Sequence, residues 1–381
     1  MNNPHTDYDI IIVGAGPAGG MCAYELSKRK FNILIIEKEK LPRYKVCAGG
    51  LTKKAVDILP NDLHTLAENY TYNIHLTLNH DRGFSKEVSF PIVTMVMRDR
   101  FDYFLVQKSI CNDARILDGT KVNSIEEFPD YVIVRTEKGD FKSKVVVGAD
   151  GANSLVARSV GLRKKPRLGV ALEGEAFPDD NGSIHIDFNV IPRGYGWIFP
   201  KKDHLSVGVF TTLPKIKEIK KYFSIYFEKK GLSMRYRCRS ILGHQIPIGG
   251  RSETLNTKRG LLIGDAAGLA DPITGEGIYF GLRSGQMAAE VIAESLSGNH
   301  SGLDRYTRMV NNEIINDLRY ATYIAMFFYK LTPIIYDLGI KKNLISEDLI
   351  KALVSGHPYR DIFIKIPRKI FNLLIPIKIN Y

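Results

Sequence analysis

The sequence predicts an α/β fold: a doubly wound, parallel-stranded sheet, interrupted by an antiparallel sheet and closed by C-terminal helices. Three observations predict it. An apolar run at 10–13 meets Gly14, Gly16 and Gly19 in the spacing G-x-G-x-x-G, before a helix-compatible stretch and a second apolar run at 33–36. Two later apolar runs, at 145–147 and 261–263, end on small residues and an aspartate. That composition suits the crevice at the carboxyl edge of an α/β sheet. Between them, 167–251 alternates apolar and polar residues, as a half-exposed antiparallel sheet does.

In the first unit each residue type has a physical reason. Gly14 permits the tight turn, Gly16 lets the backbone approach a pyrophosphate, and Gly19 lets helix and strand pack closely. The helix at 18–29 offers free N–H groups and the positive end of its dipole to the phosphates. Glu37 ends the second strand, near the expected spacing of about 20 residues, where a carboxylate accepts hydrogen bonds from ribose hydroxyls. Its charge repels a 2′-phosphate, so the pattern reads as FAD or NAD rather than NADP.

The next stretch, 41–59, holds Pro42 and a loop of Cys47, Ala48, Gly49 and Gly50, with a helix expected from Thr52 onward. A cysteine near a helix N-terminus is a candidate proton donor or flavin contact; a small loop residue of no chemical use is the bland alternative. Alternation over 70–96, with Asp81-Arg82-Gly83 as the turn, predicts a hairpin. Phe101, Phe104, Leu105 and Ile110 recur at helical spacing, with Arg98 at the mouth of that helix, where a guanidinium clamps a phosphate or a flavin edge. A short strand and turn follow at 112–124, with Val122 approaching the dinucleotide unit. A second hairpin spans 131–147 around Lys138-Gly139. Gly148, Asp150 and Gly151 end the next strand, ahead of a helix at 152–160. The third block delivers Gly264 and Asp265 at a strand tip, then a loop shaped by Pro272, Gly275 and Gly277, then a helix at 278–295. Asp265 suits a ribityl hydroxyl, and the N–H groups of Gly277 and Ile278 suit the polar end of a flavin ring.

Within the alternating region, Tyr195 and Trp197, flanked by Gly194 and Gly196, are candidates for a pocket wall, and a helix is expected at 216–229. A tryptophan in a strand also serves as plain core. The run 320–336 is rich in Tyr, Phe and Ile and either roofs an apolar tunnel or buries itself on the sheet.

With 44% hydrophobic and 25% charged residues, the 381-residue chain supports a sizeable core. The net charge of +12 admits several anionic partners. Its basic residues are scattered and no nucleic-acid-binding signature accompanies them, which sets nucleic acid aside. Four cysteines far apart fit neither a zinc site nor an iron–sulfur set and point to a reducing compartment. No basic-then-apolar leader is visible, so a cytoplasmic protein is expected. The basic, apolar tail at 360–381 suits a peripheral contact on the inner face of a membrane, or a tail helix packed on the body. The run 320–338, interrupted by Lys330, Pro333 and Asp337, is no clean membrane span.

The blocks VGAGPAGG with Glu37, VVVGADGANS and LLIGDAAGLADPITGEGI are similar, in order and spacing, to those of FAD-dependent oxidoreductases of the para-hydroxybenzoate hydroxylase type. RYKVCAGGL and PRGYGWIFPK resemble the geranylgeranyl reductase family, although the usual C-G-G-G-L-like loop is here Cys47-Ala-Gly-Gly-Leu. The resemblance implies a glutathione-reductase-like FAD-binding Rossmann domain, and FAD contacts at Gly19, Glu37, Cys47, Ala48, Gly50, Arg98, Val122, Asp265, Gly277 and Ile278. The expected division is 1–69, 97–160 and 252–300 for the FAD-binding domain, 70–96 and 161–251 for the antiparallel substrate domain, and 301–381 for the helical region.

The expected activity is saturation of carbon–carbon double bonds in a geranylgeranyl-type isoprenoid chain by hydride from reduced flavin. Cys47 and Tyr195 are candidates for the proton step or for positioning, with Trp197 beside them. The alternative is an NAD(P)H-dependent monooxygenase acting on an aromatic or quinone-type substrate. A non-catalytic FAD-binding membrane adaptor rests on the basic tail alone. No second G-x-G-x-x-G follows a strand, so the electron donor docks transiently, as NAD(P)H or a ferredoxin-like protein.

Overall fold

Strand Tyr8–Val13 is the centre of the molecule, and its residues are buried alternately into two different cores. Ile10 and Ile12 join Ile33, Ile35, Val145 and Val147 against Cys22, Leu26, Met287 and Val291 on one face. Ile11 and Val13 join Ile36 and Val146 against Val134, Val156 and Leu262 on the other. A strand covered on both faces has to read as a continuous apolar run, which is why 10–13 does. The computed structural model describes residues 7–162, 167–177, 183–232, 241–250, 253–298, 302–337 and 355–365.

The first sheet is seven-stranded. Tyr8–Val13 pairs in parallel with Ile33–Ile36 on one side and Gly139–Gly148 on the other, and Arg115–Leu117 extends the parallel edge. The long strand Gly139–Gly148 then branches. Its start pairs antiparallel with Val132–Thr136, and its end pairs in parallel with Gly260–Leu262. This places the tips at Gly14, Gly148 and Ile263 side by side, at the carboxyl edge where α/β sheets bind ligands. Helices Pro17–Ser27 and Ile278–Leu296 bury Cys22, Leu26, Met287 and Val291 in the first core.

The second sheet runs Leu242–Ile248, Arg167–Ala176, Leu205–Thr211, Gly194–Pro200, Ile184–Phe188, Asn73–Leu78, Arg82–Glu87. Its pairings are antiparallel except Ile184–Phe188 with Asn73–Leu78, which is parallel. Helix Ile219–Lys229 covers one face through Phe223, Tyr226 and Phe227. Helix Asn316–Ile335 packs Ala321, Ile324, Phe328 and Tyr329 against Leu76, Leu78 and Phe188. The 320–336 run thus packs one face on the sheet.

Several expectations shift. The 70–96 segment is a hairpin only over 73–87, turning at 79–81. Val93–Val96 pairs instead with Gly50–Thr52 and Ala67–Thr71 in a separate three-stranded sheet. Pro91, which has no N–H to donate, separates the two. The helix after Thr52 lasts one turn, Lys53–Val56, before Pro60 opens a 3-10 helix. The 152–160 helix shortens to Leu155–Ser159 because Ser154 caps it, accepting from the Ala157 N–H at 2.8 Å. Most of the basic tail, from 366 on, lies outside the described residues.

Candidate active site

At the dinucleotide end, the three glycines divide their work. Gly14 sits at φ +106°, and a Cβ there would lie 2.3 Å from the Ala149 carbonyl oxygen. A Cβ on Gly19 would lie 2.0 Å from the Gly14 oxygen. One on Gly16 would meet nothing nearer than an Arg43 nitrogen at 3.9 Å. Two glycines therefore close the turn, and Gly16 faces open space. Helix Pro17–Ser27 starts there with no side-chain cap and no acidic residue in its first turn, which leaves its positive end to an anion.

Glu37 is buried and holds the turn, accepting from the Ala15 N–H at 2.9 Å and the Glu39 N–H at 3.2 Å. Val122 packs in the same core as Val13 and Ile36. From Glu37 a charged relay runs inward. Arg43 Nε lies 3.5 Å from Glu37, its guanidinium donates to Asp102 at 2.9 Å, and Arg98 holds both Asp102 oxygens at 2.7 and 2.8 Å. Arg98 is thus fixed by helix Arg98–Ile110 itself, and also hydrogen-bonds Cys47.

Cys47 is half-buried at the start of a loop that only glycine can complete. Gly49 sits at φ +67°, where a Cβ would lie 2.2 Å from the Val96 oxygen and 2.5 Å from Lys201 Nζ. The Gly49 N–H donates to Cys47 Sγ at 3.4 Å. Gly50 pairs with Met95, and Ala48 packs on the aromatic cluster of Tyr195, Trp197 and Phe199. Across the site, Asp265 Oδ1 would lie 3.2 Å from a Cβ on Gly277, the residue before helix Ile278–Leu296. Burial raises the pKa of Asp265, against the opposing pull of Arg98 and Lys45. Thr52 and Lys54 both bind Glu276, at 2.6 and 2.9 Å, tying the loop after Pro272 to the Cys47 segment.

Tyr195 is half-buried beside Ala48, whereas Trp197 has a different place from the one a pocket wall implies. Tyr195 donates its hydroxyl to the Thr274 carbonyl, and burial pushes its pKa up, so it positions that loop and is a poor acid. Trp197 is core: its ring lies on Gly208 and its N–H donates to Ser206 at 3.2 Å. Ser206 in turn donates to Glu173 at 2.8 Å. Glu173, Glu175, Lys201 and His204 line a narrow cleft with Cys47 and Arg98. Burial raises Glu173 and lowers Lys201. Burial also lowers His244, beside Lys45, to about 4.

The FAD binding domain family matches residues 7–174. An uncharacterised protein of Methanosarcina barkeri is 34% identical over 96% of both chains. The chloroplastic geranylgeranyl diphosphate reductase of Arabidopsis thaliana is 28% identical over 93% of this chain and 82% of its own. The chain belongs to the geranylgeranyl reductase family of FAD-dependent oxidoreductases. The fold agrees with a geranylgeranyl bacteriochlorophyll reductase-like protein of Thermoplasma acidophilum (TM-score 0.78, 20% identity, 97% of this chain and 99% of the other). A flavin-dependent brominase shares the same fold (TM-score 0.73, 20% identity, 96% and 99%).

As a member of the geranylgeranyl reductase family, the chain binds FAD, and its residues fit that cofactor. The open approach at Gly16 admits a diphosphate next to an uncapped helix end and the Arg43 guanidinium. The half-buried Asp265 carboxylate, which accepts no hydrogen bond among the described residues, suits a hydroxylated chain. Sequence reasoning does not single out Arg43, Asp102, Glu173 or Lys201, and it names Gly49 only as part of the Cys47 loop. Arg43 and Asp102 carried no motif spacing, being 59 residues apart in sequence. Glu173 and Lys201 line the same cleft because strands Arg167–Ala176 and Gly194–Pro200 both pair with Leu205–Thr211. Gly49 was legible: it stands beside Gly50 in the same loop.

Proposed function

We propose that the protein saturates carbon–carbon double bonds of a geranylgeranyl-type isoprenoid chain. The observation that carries this reading is the half-buried Cys47 thiol, held between Arg98 and the Gly49 N–H at the junction of the FAD-binding sheet and the antiparallel sheet. When bound, reduced FAD supplies a hydride. The chain's own residues supply the rest. Cys47 donates the proton to the other alkene carbon, and Arg98 and the Gly49 N–H stabilise the thiolate left behind. Ala48, Tyr195 and Phe199 form an apolar surface that keeps water from the reacting carbons. The names of full-length relatives support the substrate class, including a digeranylgeranylglycerophospholipid reductase of Methanococcus vannielii at 28% identity. NAD(P)H or a ferredoxin-like protein, docking transiently, restores the reduced cofactor.

Oxygen and the thiol test this reading together. NAD(P)H or chemical reductant should support lipid turnover equally with and without oxygen, and Cys47→Ala should slow it by about 10²-fold or more while retaining FAD. Turnover that requires oxygen, with a hydroxylated product, would replace the reading with the monooxygenase. An unchanged Cys47→Ala rate would remove Cys47 from the proton step.

A further inference from the structure

Each alkene reduction consumes one proton in a place that must exclude water, so a half-buried donor has to be refilled from behind. The cleft beneath Cys47 contains the groups for this. Lys201 is 2% exposed, lies against Gly49, and donates to the Val96 oxygen at 2.8 Å. Glu173 is 6% exposed and takes the Ser206 hydroxyl at 2.8 Å, which is itself held by Trp197. Burying an acid and an amine is expensive. Resting on the alkene reduction proposed above, we propose that Lys201 and Glu173 form a proton store that reaches solvent through this cleft and refills Cys47 after each turnover.

The balance is simple. One alkene carbon receives the hydride from the reduced cofactor, and the other receives the Cys47 proton. The thiolate takes a proton from the Lys201 ammonium, and the amine regains one from solvent by way of Glu173. Burial brings the acid up and the amine down, so their proton affinities approach each other, and a transfer between them costs little. Both residues act through Cys47 and are positioning residues.

Other charges face this pair from every packed element. On the strand of Glu173, Glu175 accepts from the Tyr44 hydroxyl at 3.1 Å and faces His204 at 4.0 Å. From the turn, Asp203 holds His204 at 2.7 Å. Arg98 and Asp99 come from the helix, Lys45 from the loop, and His244, 3.5 Å from Lys45, from the edge strand. Arg98 stays charged throughout, so a pH limb on the basic side belongs to Lys201.

Two measurements on the FAD-loaded protein test the store. In anaerobic multiple turnover with excess chemical reductant and a geranylgeranyl lipid, the wild-type rate should fall on the basic side, with its limb below the ordinary lysine range. Glu173→Gln should move that limb down by about one pH unit, because a negative charge near the ammonium is gone. Lys201→Met should slow turnover about tenfold or more, and Lys201→Arg, charged but unable to release a proton, should not restore it. Rescue by Lys201→Arg, or limbs that coincide in all variants, overturns the store.

The second readout needs no lipid. Alkylation of Cys47 against pH, followed by peptide mass, should shift its limb up by about one unit in Lys201→Met and not in Lys201→Arg. Coincident alkylation limbs overturn the store. A wild-type protein that reduces no prenyl lipid overturns the functional reading, and the alkylation limb then tests the store alone.

Discussion

At the residue scale, the glycines of the first turn have separable roles, and substitution should separate them. A methyl group on Gly19 collides with the Gly14 oxygen at 2.0 Å, whereas one on Gly16 finds open space. Gly19→Ala should therefore lower the stability of the apoprotein by about 1–3 kcal/mol in denaturant titration. Gly16→Ala should leave that stability within about 0.5 kcal/mol of wild type and still lose bound flavin, read from the yellow absorbance. Equal destabilisation by both would contradict the division. These roles were legible in the sequence because G-x-G-x-x-G fixes spacing and residue type together. The relay from Glu37 to Arg98 was not. Arg43 and Asp102 are ordinary charged residues in sequence, and only the fold brings them within 2.9 Å.

At the element scale, the Cys47 loop is held from both sides. Lys201 and Val96 hold Gly49, while Thr52 and Lys54 hold Glu276 in the loop before helix Ile278–Leu296. Glu276 accepts a charged hydrogen bond where both partners are largely buried, so removing the cation leaves an uncompensated carboxylate. Lys54→Met should cost about 3–5 kcal/mol of stability and loosen FAD in the same titration. A loss below about 1 kcal/mol would show that the two loops are not held by this pair.

Long periodic elements were the readable ones, such as Ile278–Leu296, expected at 278–295. Short elements depended on local chemistry the pattern did not weigh. Pro60 stopped a helix after one turn, Ser154 started another late, and Pro91 sent Val93–Val96 to a different sheet.

At the scale of the whole molecule, two sheets meet around the Cys47 loop, where the proposed chemistry is placed. The doubly wound sheet was legible because strands buried on both faces read as unbroken apolar runs. The antiparallel sheet was legible from alternation, although the parallel pairing of Ile184–Phe188 with Asn73–Leu78 was not, since alternation carries no strand direction. The cleft was invisible in sequence for the same reason: strand order decides that Glu173 and Lys201 face Cys47. Among the described residues no helix is long and apolar enough to cross a membrane. Helix Asn316–Ile335 leaves Tyr323, Met326 and Ile334 exposed on the side away from the sheet.

The central claim is that electrons leave the flavin for an isoprenoid double bond. The direct measurement is anaerobic: reduce the FAD-loaded protein chemically, add a geranylgeranyl lipid, and follow the flavin absorbance while weighing the lipid by mass spectrometry. Return of the oxidised flavin band, with hydrogen added across a lipid double bond, is the predicted result. Flavin that stays reduced until oxygen enters, with the lipid mass unchanged, would contradict it.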